Sequence, residues 1–184
     1  GVNVVCAPRA SASLLNTAAD KSHLEALRFF ISEGCDVNHV TSKGEFPLML
    51  ASISDSVEGV QILLEAGADA DQANQKGIKS IVLAAIGSSK MVVESLIGAG
   101  ADPHELFDEK PLFIYAFAEE NYAVAELFVQ RGVPVDGKLI YSAEKVLNSE
   151  AYKEDAGLIV GKPAYYAFNG DNYLSRAEKE SSAD

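Results

Sequence analysis

The chain has 184 residues, 48 % of them hydrophobic, and a formal net charge of -12 from 27 acidic and 15 basic residues. That acidity sets the surface against the phosphates of nucleic acid and favours a basic or mixed protein surface as partner. Length and composition fit one domain of ordinary size with a continuous core, and no apolar run approaches the roughly 18 residues that a membrane-spanning helix needs.

From Gly1 to Ala19 no Asp or Glu occurs, and Arg9, Ser11 and Ser13 stand among small residues. Such a start fits the remnant near an organelle transit peptide, although the same residues also serve as a first hairpin and helix. The expected compartment is the cytoplasm, with chloroplast or mitochondrion as the second reading.

Farther along, glycines recur at Gly34, Gly67, Gly100 and Gly132, separated by 33, 33 and 32 residues. Each follows an apolar helical stripe, such as Ile62-Leu63-Leu64 or Leu127-Phe128-Val129, so each sits where a helix must stop. An alanine lies sixteen residues before every one of them, at Ala18, Ala51, Ala84 and Ala116. A fixed small residue predicts two helices passing close together there. A period near 33 is the mark of stacked units that cannot bury their apolar faces alone.

Between units the composition turns to loop formers: Cys35-Asp36-Val37-Asn38, Ala68-Asp69-Ala70-Asp71, Ala101-Asp102-Pro103-His104 and Val133-Pro134-Val135-Asp136. Second turn glycines follow at Gly44 and Gly77, also 33 apart, and Pro47 then suits the first turn of a helix. The spacing predicts one helix over 47–54 and another over 56–66, the latter with Val57, Val60, Leu63 and Leu64 on one face. Ser22 with Glu25, and Asp55 with Glu58, have the spacing of capping boxes. The interval from Gly100 to Ala116 is one residue short, which predicts a shortened or distorted hairpin before the fourth unit.

Gly44-Glu45-Phe46-Pro47-Leu48-Met49-Leu50-Ala51 resembles the ankyrin-repeat pattern glycine, any residue, Thr, Pro, Leu, His, any residue, Ala, and Gly67-Ala68-Asp69 resembles that family's closing Gly-Ala-Asp. The Thr-Pro pair is Phe46-Pro47 in one unit, Lys79-Ser80 in the next and absent from the first, so individual units are weaker than a consensus repeat. The resemblance implies an all-α ankyrin-repeat solenoid of helix-turn-helix pairs joined by β-hairpin-like loops. Four repeats are expected within 1–138, at about 8–40, 41–73, 74–106 and 107–138. A degenerate fifth repeat or helical cap follows over 139–168, where Leu139 to Leu147 read as a helix, and a tail over 169–184.

Catalytic chemistry finds no support. The histidines His23, His39 and His104 fall in different repeats, and no phosphate loop, zinc-spaced cysteine pair or His-Glu-x-x-His occurs. Asp69-Ala70-Asp71 resembles the start of a calcium loop but lacks the required Gly and terminal Glu. No cofactor or metal is expected. The two cysteines make no disulfide framework; Cys35 stands where Ala68 and Ala101 do, a buried small position, and a reducing compartment is favoured.

By resemblance, the concave face holds a partner protein. The hairpin tips would carry Ser42, Lys43, Glu45, Gln75, Lys76 and Ile78, and the inner helices Ile53, Ser54, Ile86, Gly87, Ala118 and Glu119. Lys43 and Lys76 recur at equivalent tips with Lys79 and Lys110 nearby, a basic stripe that would suit an acidic peptide. Tyr165, Tyr166 and Phe168, with Tyr173, either seal the last repeat or dock a partner. The expected function is a non-catalytic protein-interaction module, an adaptor or a subunit of a larger assembly. The alternative is a regulatory ankyrin domain or fragment of a larger enzyme or channel.

Overall fold

The computed structural model describes residues 14–134; the expected cap over 139–168, the tail over 169–184 and the acid-free start up to residue 13 lie outside the described residues. Among the described residues, helices follow one another in pairs: α1 (Leu14–Asp20) with α2 (Leu24–Ser32), α3 (Pro47–Ile53) with α4 (Val57–Glu65), α5 (Ser80–Gly87) with α6 (Lys90–Gly98), and α7 (Leu112–Ala118) with α8 (Tyr122–Gln130). A two-stranded antiparallel ribbon, β1 (Leu106–Phe107) and β2 (Lys110–Pro111), precedes α7. α3 and α4 match the spans expected for them, 47–54 and 56–66, to within a residue at each end.

The helices stack in two rows. In the inner row α1 packs on α3, α3 on α5 and α5 on α7; in the outer row α2, α4, α6 and α8 do the same. The recurrent alanines lie where the two rows meet: Ala51, Ala84 and Ala116 are completely buried and Ala18 nearly so. A larger side chain at any of them would push the rows apart. Inner helices are therefore apolar on most sides. In α5 every residue from Ser80 to Ile86 is buried, because α3, α6 and α7 enclose it.

The periodic glycines close the outer helices as expected. All four have left-handed φ, from +79° at Gly34 to +108° at Gly100. At the close of α4 the Gly67 N–H donates to the Leu64 carbonyl at 3.0 Å and the Ala68 N–H to the Leu63 carbonyl at 2.9 Å, and the same pair of bonds recurs in the other units. The aspartates that follow make a second periodic turn: Asp36, Asp69 and Asp102 each accept, through Oδ1, the backbone N–H two residues on. Asp69 thus has a structural employment in the segment that resembled a calcium loop.

The capping boxes are not formed as expected. Ser22 and Asp55 adopt φ of +52° and +51°, and the N-caps are the next residues, His23 and Ser56. The tight turn between paired helices needs one left-handed residue just before the cap, which displaces these two from the capping place. Ser56 does cap, its Oγ accepting the Gly59 N–H at 3.3 Å. Asp55 bonds across to the next unit, accepting the Ser89 N–H at 2.7 Å. The third unit lacks the left-handed residue, Ser88 having φ of -105°, so its cap N–H takes the Asp55 carboxylate instead of its own alanine carbonyl.

Cys35 is buried, as expected, but disulfide-bonded, which corrects the expectation of cysteines outside any disulfide. The chain's other cysteine, Cys6, lies outside the described residues.

One local weakness follows from the missing prolines. Ser80 occupies in α5 the first-turn place that Pro47 holds in α3; it is fully buried, and its Oγ has no hydrogen-bond partner. Lys79 before it is extended, at φ -99° and ψ 161°, a backbone that a following proline accepts. Ser80→Pro removes the orphan hydroxyl and restricts the unfolded chain, and is expected to stabilise by about 1 kcal/mol, or to raise the melting temperature by about 2–4 °C. A thermal melt by circular dichroism checks this, and an unchanged or lower midpoint would contradict it.

Candidate protein-binding surface

Three successive units project a hairpin from the same edge of the stack, and their geometry follows from loop length. In the first, the Thr41 N–H donates to the Glu45 carbonyl at 2.8 Å and the Gly44 N–H to the Thr41 carbonyl at 2.9 Å, with Gly44 at φ +79°. The second repeats this with Asn74, Gly77 and Ile78; the Asn74 Oδ1 also accepts the Lys76 and Ile78 N–H groups at 2.9 and 3.0 Å. Both are three-residue loops whose last residue must be left-handed, hence glycine.

The third hairpin is the shortened one. β1 and β2 leave only Asp108 and Glu109 in the turn, with φ of +49° and +58°. Two consecutive left-handed residues are the pattern of a two-residue hairpin. The residue missing from the 32-residue interval is therefore lost from this turn, where neither position is glycine.

The hairpins touch. A Cβ added at Gly44 would lie 3.2 Å from the Gln75 Oε1 and 3.3 Å from the Asn74 Nδ2, so the first two tips are in van der Waals contact through a glycine. Below them, Asn38 ties two units together: its Oδ1 accepts the Asp69 N–H at 2.8 Å, its Nδ2 donates to the Gly67 carbonyl at 3.2 Å, and its carbonyl accepts from Gln72 Nε2 at 2.6 Å. Lys79 bridges onward, its Nζ lying 2.8 Å from Asp71 and 2.7 Å from Glu105. Hydrogen bonds to these two carboxylates raise the Lys79 pKa above its ordinary value, against the opposing effect of burial.

This geometry sorts the expected contact residues. Ser42, Lys43, Gln75 and Lys76 are exposed at the tips, Gly87 is exposed, and Ile53, Ser54 and Glu119 are half-buried. Ser54 also donates from Oγ to the Asp20 carbonyl at 2.6 Å. Glu45, Ile78, Ile86 and Ala118 are buried, at 8, 3, 6 and 4 % exposure, and offer no surface. Glu45 and Ile78 fail as tip residues because each is the return partner of its hairpin, one step past the exposed turn; Ile86 lies on the enclosed helix α5, and Ala118 closes α7. Tyr165, Tyr166 and Phe168 lie outside the described residues.

Two residues of the expected basic stripe are also spoken for. Lys79 is held between Asp71 and Glu105, and Lys110 pairs with Asp108 at 3.2 Å. The stripe reduces to Lys43 and Lys76. Sequence reasoning pointed to the third hairpin without naming its tip residues, where Leu106, at 57 % exposure, stands beside Asp108 and Glu109. Its signal was the short interval itself.

With paired helices, left-handed glycine closures and linking hairpins in place, the comparison with known families is decisive: residues 3–74 match the model of ankyrin repeats (three copies). Residues 3–74 thus carry ankyrin repeats, and the described helix pairs fit an all-α ankyrin-repeat solenoid. No curated protein matches its sequence. Ankyrin repeats are generally protein-interaction modules and typically non-catalytic. Among the described residues no helix is long and apolar enough to cross a membrane, and no three His, Cys, Asp or Glu side chains gather as a metal site.

Glu45 is the unusual charge in this ankyrin array. Burial pushes its carboxyl above the ordinary value of 4.5, Lys43 opposes the shift and Asp20 adds to it. The folded protein thus binds this proton more readily than the unfolded chain. The buried carboxylate costs stability at neutral pH, and the cost is relieved as pH falls through the raised value. Glu45→Gln is expected to be more stable than the wild type at pH 7, with the gain vanishing by pH 4. Urea midpoints at both values check this, and an equal gain at both would contradict it.

Proposed function

We propose that this ankyrin array binds a partner protein along the edge formed by its hairpin tips, as an adaptor or as a subunit of a larger assembly. The observation that supports it is the continuity of that edge: adjacent tips meet at Gly44 and Gln75, their bases are tied by Asn38 and Lys79, and Ser42, Lys43, Gln75 and Lys76 stand exposed on it. Exposed turns on a rigid scaffold are the usual place for recognition. The half-buried Ile53, Ser54 and Glu119 stand at the far ends of the inner helices, on the side of the stack away from the hairpins.

The partner chemistry narrows with the lysines. Lys43 and Lys76 call for an acidic group spanning two tips, while Leu106 and Glu109 at the third call for an apolar and a basic one. A partner of mixed charge suits this edge better than a uniformly acidic peptide. As to compartment, the disulfide at Cys35 weighs towards an oxidising environment and against the cytoplasm first expected.

The test is affinity capture from the native source, with the wild type and the Lys43→Glu, Lys76→Glu double variant compared by quantitative mass spectrometry. The specific partner is expected to fall at least tenfold with the double variant. An identical set of captured proteins would remove the tip edge from consideration.

A further inference from the structure

The disulfide at Cys35 joins it to Cys6, the chain's one other cysteine. What that bond fastens follows from the period. Residues 34–36 hold in the first unit the place that 67–69 hold in the second, 33 residues on. At the second unit the loop of the preceding one reaches across: Asn38 donates from Nδ2 to the Gly67 carbonyl and accepts the Asp69 N–H at Oδ1, one bond on either side of Ala68. Moved back by one period, Asn38 becomes Val5, with Cys6 next to it, and Ala68 becomes Cys35. The disulfide therefore spans the junction that hydrogen bonds span one unit later. The match to ankyrin repeats likewise begins at residue 3, ahead of α1.

The same shift, applied to the sequence, shows what residues 3–13 lack. Val5 has no hydrogen-bonding side chain where Asn38 makes two bonds. Pro8 stands in the place of Thr41 and Asn74, whose N–H groups close their hairpins on the Glu45 and Ile78 carbonyls, and it has no N–H to give. Ser11 stands in the place of Gly44 and Gly77, which are left-handed at φ +79° and +73°. A covalent bond is thus found at the junction whose side-chain tie, hairpin closure and turn glycine have all been replaced.

We propose that the Cys6–Cys35 disulfide is a redox latch: oxidised, it holds residues 3–13 on the first unit in the place of a further hairpin; reduced, it releases them while the helix pairs stay stacked. A dithiol supplies two electrons and two protons, the S–S bond breaks to two thiols, and the dithiol closes to its own disulfide. The stack does not depend on the bond, because α1 and α2 pack on α3 and α4 and are joined to the second unit by Arg28 with Glu58 and Ser54 with Asp20. In the latched form Arg9 and Ala10 take the places of Ser42 and Lys43, and Arg9 brings a further cation to the tip edge. That consequence rests on the tip edge being the recognition surface, whereas the latch itself is tested with no partner present.

The test is hydrogen–deuterium exchange of the full chain, read by mass spectrometry before and after treatment with dithiothreitol. A tryptic map without reductant is expected to show peptide 1–9 linked to peptide 29–43. On reduction the amides of residues 3–13 are expected to exchange at least tenfold faster, with α3 to α8 unchanged, the signature of local opening at one end. Cys6→Ser is expected to behave without reductant as the reduced protein does. Val5→Asn, which restores the side chain that makes the Asn38 bonds, is expected to recover protection in the reduced protein. Protection of 3–13 that survives reduction, a Cys35 peptide linked to that of another copy, or loss of protection throughout α3 to α8 would each overturn the proposal. So would a Val5→Asn variant that recovers nothing, because the equivalence with Asn38 would then be false.

Discussion

A pair of helices seven to nine residues long cannot stand alone in water. Each is too short to be stable by its own hydrogen bonds, and the pair has more apolar surface than its two members can hide from each other. Contact with the next pair supplies the missing burial, and the rest of the structure is arranged to allow it. The alanines between the rows let inner and outer helices approach, the left-handed glycines turn the chain sharply enough to begin again, and the hairpins set the step from one pair to the next.

Polar groups at the two edges of the stack fix the register of that contact. On the hairpin side, Asn38 uses its side-chain oxygen, its side-chain nitrogen and its backbone carbonyl on the following unit. On the opposite side, Ser54 bonds back to Asp20, Ser88 to the Ser52 carbonyl at 2.6 Å, and Asn121 to the Ser88 carbonyl at 2.8 Å. These bonds join residues about one repeat apart in sequence, so they are satisfied only when neighbouring units sit in step. Apolar burial pulls units together without direction; these contacts decide where they come to rest.

The array was legible in the sequence because its determinants are periodic. Gly34, Gly67, Gly100 and Gly132 declare the backbone conformation that only glycine takes readily, and the alanines declare a close approach. What depends on neighbours in space was less legible. Ile86 and Ala118 were placed by analogy on the open face of the inner helices, but enclosure of α5 by three other helices cannot be seen from its own sequence. Glu45 reads as a surface residue by its charge, and only the fold puts it against Asn16 and Asp20. The capping boxes were displaced by one residue because the spacing of Ser22 and Glu25 fits a cap equally well whether or not a left-handed turn precedes it. The short interval after Gly100 located the irregular hairpin correctly, while its turn conformation came only with the structure.

That hairpin also bears on how such an array changes. Loss of a residue within a strand or helix reverses or rotates everything beyond it, yet here Ala116 still stands sixteen residues before Gly132, as in the other units. The turn absorbs the deletion at the cost of two non-glycine residues in left-handed conformations, and the tip passes from Lys43 and Lys76 in the earlier units to Asp108 and Glu109. Loop length is thereby uncoupled from the stack: one hairpin is a residue shorter and carries different tip chemistry, while the helix pair that follows keeps its spacing.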